Sequence, residues 1–175
     1  MNHGAAAETP MRERILRATF KVLCRSGYGK FSLSDVAAQA GISRPTLYKS
    51  FSSKDELLAA FSQFEVELLR ADLHHAVDGH TGRRQVDALL EFLAAFYRSY
   101  AMRGLVEIEP GLVLAQLAKA LPVLVDSIAP LLVGQVPEPE TVAMALVRVS
   151  LCHYLVPGYD EDQLLDQLRT AAGVR

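Results

Sequence analysis

The chain has 175 residues, half of them hydrophobic and 22% charged, so it is long and apolar enough to fold around a core. Its longest charge-free stretches, such as Val149 to Tyr159, fall short of the roughly 18 residues that cross a bilayer, and no basic start followed by an apolar run marks a secretion signal. Cys24 and Cys152 lie far apart, which excludes a CxxC cluster or a disulfide framework and favours a reducing, cytoplasmic setting.

The net charge of −2 is unevenly distributed along the chain. Residues 1–57 contain nine Lys and Arg against five Asp and Glu, a balance of +4, whereas residues 58–175 contain nine against fifteen, a balance of −6. A basic DNA-binding domain joined to a domain with another function would show this charge asymmetry. Chance clustering accounts for the charge alone equally well.

Hydrophobic residues recur at helical spacing along the whole chain, and no segment alternates as a strand does. We therefore predict an all-α protein with an N-terminal three-helix head and a C-terminal helical bundle. The first helix is predicted to have Thr9 as its cap and Pro10 at its first position, and to end near Gly27. Residues 1–8 are predicted to form a disordered lead.

Two short helices are predicted next. The first covers Leu33 to Ala40, because Ser32 is a favourable N-cap and Gly41 is a favourable left-handed residue at the C-terminal end. Ser43 follows only two residues later and caps a new helix. Two short helices joined by a tight turn that contains glycine form a helix-turn-helix.

The second helix of this pair is predicted to have an inner and an outer face. Leu47 and Phe51 are four residues apart and form the inner face. The outer face presents its side chains to a groove in the helix-turn-helix arrangement. The outward residues are Arg44, Pro45, Tyr48 and Lys49.

Six further helices are predicted to form the rest of the chain. The first of them is long and is opened by the capping box Ser53-Lys-Asp-Glu56. Prolines are expected to break the apolar segment 105–136 into two shorter helices. The predicted ranges are 54–77, 85–104, two helices within 105–136 interrupted by Pro110, Pro122 and Pro130, then 141–156 and 161–172.

Residues 27–58 read GYGKFSLSDVAAQAGISRPTLYKSFSSKDELL, and this stretch resembles the TetR family of transcriptional regulators. The resemblance covers roughly residues 11–61, and AGISRPTLYKSFSSKDELL is its most specific part. The remaining two thirds are similar only in layout. The resemblance implies a helix-turn-helix DNA-binding domain over 9–57 and a helical effector-binding and dimerisation domain over 58–175.

Residues of the head are predicted to contact DNA. Arg44 is suited to bidentate hydrogen bonding to guanine. Lys54 opposes the helix dipole in the first turn of its helix, a disadvantage that a bound phosphate would reverse. The alternatives are that these cations are merely solvated and that Tyr48 is a packing residue. The predicted DNA contacts, several of them implied by the resemblance, are Ser32, Ser34, Arg44, Pro45, Thr46, Tyr48, Lys49 and Lys54.

A homodimer is expected, because a single head of about fifty residues presents one reading helix and binds weakly. Two-fold pairing of two heads predicts a palindromic operator. The helix predicted over 141–156 is apolar nearly all round and can meet both its own chain and a second one, although it can also be wholly intrachain. The predicted interface residues are Val142, Leu146, Val149, Leu164 and Leu168.

The body is expected to bind a small hydrophobic effector that releases a repressor from its operator. An apolar pocket with a few polar groups suits such a ligand, although apolar stripes at helical spacing are more often plain core. The sequence does not identify the effector. The candidate lining residues are Phe92, Phe96, Tyr97, Tyr100, Leu112, Leu117, Met144 and His153.

Catalysis, cofactors and metals find little support in the sequence. It contains no GxSxG, P-loop, HExxH or Rossmann glycine pattern, and Gly27 to Lys30 is interpreted as a helix stop. His74 and His75 are adjacent and project about 100° apart, which suits a shared metal poorly. Glu107 and Glu109 are interpreted as a solvated loop. The rival to a DNA-binding regulator is a helical protein-interaction module whose basic head meets an acidic partner.

Overall fold

The computed structural model describes residues 3–99, 104–156 and 163–174. These residues form helices and no strand, which confirms the predicted all-α class. We call α1 to α3 the head and α5 to α9 the body, and α4 connects the two. The helices are α1 (His3–Lys30), α2 (Leu33–Ala40), α3 (Arg44–Ser50), α4 (Lys54–Val77), α5 (Arg83–Ser99), α6 (Gly104–Ile108), α7 (Pro110–Leu132), α8 (Pro139–Leu155) and α9 (Leu164–Ala171).

Helix α1 is longer than predicted and is kinked near its end. It begins at His3 rather than after Thr9, so the predicted disordered lead is wrong from residue 3 onward, and Pro10 lies inside the helix. The preceding run of alanines explains the extension, since alanine has the highest helix propensity. Gly27 has φ 72° and ψ 175°, a conformation essentially restricted to glycine, and it interrupts the helix where the stop was predicted.

Helix α2 has the predicted bounds and cap, and α3 begins after the predicted cap and ends at Ser50. The Ser32 hydroxyl accepts a hydrogen bond from the Asp35 N–H at 3.2 Å, and the Ser43 hydroxyl accepts one from the Thr46 N–H at 3.3 Å. Gly41 ends α2 with φ 64°, the left-handed conformation predicted for it. These caps satisfy N–H groups that the first turn of each helix leaves unpaired.

Helix α4 runs from the head into the body. It begins as predicted, with the Ser53 hydroxyl accepting a hydrogen bond from the Glu56 N–H at 3.1 Å, and it ends at Val77. Near the head, the Phe61 ring on α4 lies 6.4 Å from the Phe20 ring on α1, centroid to centroid. The buried side chains of head and body therefore form one cluster along α4.

The apolar segment forms two helices, as predicted, but its prolines break the second one less than expected. Pro110 separates α6 from α7, but α7 continues through Pro122 and Pro130. A proline has no backbone N–H, so Pro122 and Pro130 leave the carbonyls of Ala118 and Asp126, four residues earlier, without their helical hydrogen bonds. Both prolines and both of these residues are exposed, so water can satisfy the freed carbonyls and the helix persists.

One described helix, α7, is long and apolar enough to cross a membrane by length and composition. The charge-free stretches of the sequence did not indicate this. In this fold α7 packs against α8, α4, α5 and α6, and we interpret it as a helix of the bundle. Its buried face consists of Val113, Leu124, Val125, Ile128, Ala129 and Leu132.

Candidate DNA interface and adjoining cavity

The outer face of α3 is open to solvent. Arg44, Pro45, Tyr48 and Lys49 are all exposed, and 52% of Tyr48 is accessible even though it is aromatic. Within the described part of the chain, no hydrogen bond or ion pair occupies the Arg44 guanidinium, the Tyr48 hydroxyl or the Lys49 ammonium. The face therefore combines donors and apolar surface that are available to an external partner.

Helix α3 is held from behind by the core and from the side by α1. Leu47 and Phe51 are completely buried, as their inner-face assignment predicted. The Arg12 guanidinium lies 4.5 Å from the centroid of the Phe51 ring, and the Arg14 Nη2 donates to the Gly41 carbonyl at 3.2 Å. Sequence reasoning missed both arginines, because their partners lie more than 25 residues away.

Three predicted contact residues lie at the helix starts and are half-buried: Ser32, Ser34 and Thr46. The Ser32 hydroxyl, besides capping α2, donates to the Asp35 carboxylate at 2.6 Å. The Thr46 and Ser43 hydroxyls lie 2.8 Å apart. The hydroxyls of Ser32 and Thr46 therefore already make hydrogen bonds at the helix starts. A contact to DNA would use only their remaining hydrogen-bonding capacity.

Lys54 has an intramolecular partner that the sequence did not predict. Its Nζ donates to the carbonyl of Tyr28 at 2.8 Å and lies 5.3 Å from the centroid of the Phe31 ring. The side chain is half-buried as a result. An ammonium group has three donors, so two remain for a phosphate.

A cavity of about 510 Å³ adjoins the head. Its size is within the range of small-molecule sites, about 300 to 1,000 Å³. Residues from α1, α4, α5, α7 and α8 line it, and apolar side chains predominate. They are Arg17, Phe20 and Lys21 of α1; Phe64, Glu65, Val66, Leu68, Leu69 and Asp72 of α4; Phe96 and Tyr97 of α5; Leu117, Ala120 and Leu124 of α7; and Leu151 and Tyr154 of α8.

Three of the predicted ligand residues line this cavity: Phe96, Tyr97 and Leu117. Phe92 packs behind them, with its ring centroid 5.9 Å from that of Phe96. Tyr100 lies outside the described residues. The wall contributed by α1 was not predicted, because all the candidate ligand residues were chosen from the body.

The other predicted ligand residues do not reach the cavity wall. Leu112 is exposed on α7, and Met144 is half-buried on α8. The His153 Nε2 lies 2.8 Å from the Gln167 Oε1, so this buried histidine joins α8 to α9. It is a hydrogen-bonded core residue, the alternative that is commoner for a histidine on an apolar helix.

The pKa values of Tyr97, in the cavity wall, and of Cys24, on α1, are both shifted. Burial raises the pKa of the Tyr97 hydroxyl above its usual value, and the nearby Tyr154 raises it further. Tyr97 therefore offers a neutral hydroxyl in an apolar wall. Burial, followed by the charge of Glu65, raises the pKa of the Cys24 thiol, so this cysteine is not an activated thiolate at neutral pH.

The predicted dimer residues divide into two groups. Leu146, Leu164 and Leu168 are completely or almost completely buried inside their own chain. A side chain that its own chain covers cannot meet a second chain, so these three leucines belong to the core and the interface assignment is corrected for them. Val142 and Val149 are half-buried on α8 and stay candidates.

The three-helix head and the helical body together define a helix-turn-helix protein of the transcriptional-regulator class. Residues 15–61 match the model of the bacterial regulatory proteins of the tetR family. This match and the relatives described below support a TetR-family regulator, and the members of that family are transcriptional regulators rather than enzymes. The resemblance of the chain to this family, first inferred from residues 27–58, is confirmed.

Relatives in sequence and structure agree with this assignment. The chain is 32% identical over 96 residues to the transcriptional activator FasR of Mycolicibacterium smegmatis and 29% identical over 104 residues to the regulator AlkX of Mycobacterium tuberculosis. These matches cover 52% and 59% of this chain but only 44% and 49% of the relatives. A TetR-like regulator from Rhodococcus sp. RHA1 has a similar structure, with a TM-score of 0.65, 27% identity and 93% of each chain covered.

Proposed function

We propose that the protein is a cytoplasmic homodimeric repressor that binds a palindromic operator and is released from it by a small hydrophobic effector. Residues 9–57 form its DNA-binding domain and residues 58–175 its effector-binding and dimerisation domain. The observation that carries the proposal is the exposed face of α3, with Arg44, Tyr48 and Lys49 in solvent and Leu47 anchored beneath.

The α3 face suits the major groove. Arg44 lies in the first turn and can donate two hydrogen bonds to one guanine, which gives specificity at that base pair. Pro45 and Tyr48 offer apolar surface to thymine methyl groups or sugars, and Lys49 and Lys54 offer charge to phosphates. Ser32, Ser34 and Thr46 contribute hydroxyl contacts from the helix starts.

The effector would occupy the cavity between α1 and the body. Its wall is largely apolar and includes Tyr97 and Tyr154, and Tyr97 provides a neutral hydroxyl among apolar side chains. Because Phe20 belongs to the head and Leu117 to the body, a ligand there contacts both and favours one arrangement of the two. DNA favours another arrangement, so each ligand weakens the binding of the other through a reciprocal coupling free energy.

Dimerisation is assigned to the outer side of α8. Val142 and Val149 are half-buried there and lie seven residues apart, two turns along one face. The proposal requires that a second copy covering them places the two heads on one side of the dimer. Two α3 helices would then meet successive major-groove turns of one duplex.

Selection of bound duplexes from a random pool tests the DNA-binding part of the proposal. We expect the recovered sequences to be palindromic and their affinity to fall steeply with salt, because several phosphates are contacted. The Arg44→Ala variant is the matched negative control in the same selection. Recovery of no sequence above the random background would contradict the proposal and favour the protein-interaction module.

Transcription in vitro tests the sign of regulation. A promoter that carries the recovered palindrome is transcribed with and without the protein. We expect fewer transcripts with the protein present, and the same promoter with a scrambled palindrome should be unaffected. An increase in transcripts would show an activator and contradict the repressor role.

A further inference from the structure

The Glu109 side chain links the body to the kink of α1. Its Oε2 accepts a hydrogen bond from the Tyr28 N–H at 2.5 Å, and its Oε1 accepts one from the Gly29 N–H at 2.6 Å. A carboxylate that accepts two backbone N–H groups forms charge-assisted hydrogen bonds, which are stronger than neutral ones. Glu109 is therefore not the solvated loop residue that the sequence predicted.

The backbone of Glu109 is fixed by the two helices that it joins. Its N–H donates to the Leu105 carbonyl of α6 at 2.8 Å, and its carbonyl accepts from the Val113 N–H of α7 at 3.1 Å. Although Glu109 is the N-cap residue of α7, its side chain does not cap that helix. The carboxylate turns to α1 instead, so a rigid corner of the body holds it in place.

The head provides a close-fitting site for this carboxylate. A Cβ atom at Gly29 would lie 2.6 Å from the Glu109 Oε1, which is too close for any real contact. A Cβ atom at Gly27 would lie 3.1 Å from the Oε2, at a positive φ of 72° that other residues rarely adopt. The two glycines therefore leave room for the carboxylate, which explains the Gly-Tyr-Gly sequence better than a helix stop alone.

The kink of α1 at residues 27–29 is also held by α4, on the side opposite Glu109. The Tyr28 N–H donates to Glu109, and the Tyr28 carbonyl accepts from Lys54 at the start of α4. The turn leads directly into α2 and α3. The orientation of α3 relative to the body thus depends on the packing of α1 against α4 and α6 and on the Glu109 hydrogen bonds. Of these, only the Glu109 hydrogen bonds can be removed without changing a residue of α1 or α4.

We propose that Glu109 is a positioning residue for DNA binding, which sets the angle between head and body and thereby the separation of the two α3 helices in the dimer. The proposal rests on the proposed function, since it requires two heads on one palindrome. Without the Glu109 carboxylate, each head still reads its half-site but rotates on α4. The protein then tolerates half-sites at several separations.

The test is a selection from duplexes that carry two copies of the half-site with spacers of different length. Wild-type protein should recover one spacing, and its affinity should fall about tenfold when the spacer changes by one base pair, in the usual range of coupling between sites. Glu109→Ala should recover a spread of spacings with affinities within about threefold of one another. Glu107→Ala is the matched control, because Glu107 is an exposed acid in the same corner, and it should behave as wild type.

A second variant keeps the test decisive if Glu109→Ala folds poorly. Gly29→Ala leaves Glu109 in place but puts a methyl group against its Oε1, and the φ of Gly29 is not in the positive range that strains other residues. It should broaden the spacing in the same way, and hydrogen exchange at the Tyr28 and Gly29 amides should accelerate in both variants.

The possible failures are distinguishable. If wild-type protein recovers no paired half-sites, the proposed function fails and this inference fails with it. If wild-type protein recovers one spacing and both variants recover the same spacing with the same tenfold penalty, only the positioning role of Glu109 is overturned. Affinity for an isolated half-site should not change in any of these proteins.

Discussion

The Nζ atom of Lys54 lies 2.8 Å from the carbonyl oxygen of Tyr28, so the first residue of α4 is tied to the turn that ends α1. This contact gives a structural role to a residue that was predicted only to bind phosphate. The two roles are compatible, because one donor of the ammonium group serves the turn and two are left for DNA.

Replacing Lys54 should affect both stability and DNA binding. Lys54→Gln should lower the free energy of unfolding by about 1 to 3 kcal/mol, because it removes a charged donor from a half-buried carbonyl. If Lys54 also contacts a phosphate, the salt dependence of binding should become flatter by about one unit of slope. Urea denaturation and binding at several salt concentrations measure the two effects.

Lys49→Gln is the matched control for this prediction. Lys49 is an exposed cation of α3, so its replacement should change the free energy of unfolding by less than about 0.5 kcal/mol. It should still flatten the salt dependence. Equal stability of the two variants would show that the contact to Tyr28 contributes nothing.

Arg44 should determine specificity at one base pair of each half-site. Arg44→Ala should weaken binding to the selected duplex by about 1 to 3 kcal/mol and should make the protein indifferent to the base at one position. Arg25→Ala removes an exposed cation from α1, outside the α3 face. Any loss of affinity in this variant should be the same for all duplex sequences. Binding to a panel of single-base variants separates the two, and retained discrimination in Arg44→Ala would contradict the assignment.

The cavity should bind an apolar ligand, and a larger side chain that occupies the cavity should weaken this binding. N-phenyl-1-naphthylamine fluoresces in apolar sites and is a suitable probe. Leu117→Trp should weaken probe binding about tenfold or more, equivalent to about 1.4 kcal/mol, because the larger side chain occupies the cavity. Leu114→Trp lies on the exposed side of the same helix and should bind the probe as wild type does. Equal affinities of both variants would place the probe elsewhere.

Glu56 should make stability depend on acidic pH. The Ser52 hydroxyl and N–H both donate to its carboxylate and hold the pKa of Glu56 below the ordinary value of 4.5. A carboxyl with a lower pKa in the folded state stabilises it at pH above 4.5, and this contribution disappears as the pH falls through the folded pKa. The stability difference between wild type and Glu56→Gln should therefore be constant above that pH and shrink below it.

Ser52→Ala checks the cause of this effect. It removes the hydroxyl donor, the larger contribution, so the pKa of Glu56 should move back toward its ordinary value in a titration followed by NMR. An unchanged pKa in Ser52→Ala would show that the hydroxyl does not lower it.

The head could be predicted from the sequence because its signals are local. Ser32, Gly41 and Ser43 each act within four residues of the backbone groups that they satisfy, so a short window contains both partners. The inner face of α3 was equally clear, since Leu47 and Phe51 are one turn apart. Physical rules for caps and periodicity apply directly to such segments.

The body and the contacts between head and body could not be predicted in the same way. Glu109 and Tyr28 are 81 residues apart, and no local pattern marks a carboxylate as the partner of a glycine turn. The cavity wall likewise combines five helices, so the apolar stripe of any one of them reads as core. Pro122 and Pro130 misled the prediction of α7 because only the fold shows that solvent can satisfy the carbonyls they leave free.

The long separation of Glu109 from its glycine turn has a consequence for synthesis on the ribosome. Domains generally fold as units while the chain is made from its N-terminus, so the caps and inner face of the head can form before the corner after α6 has emerged. Until then the Tyr28 and Gly29 amides bond to water. A nascent chain halted before residue 109 should therefore contain a folded head whose orientation relative to α4 is not yet fixed.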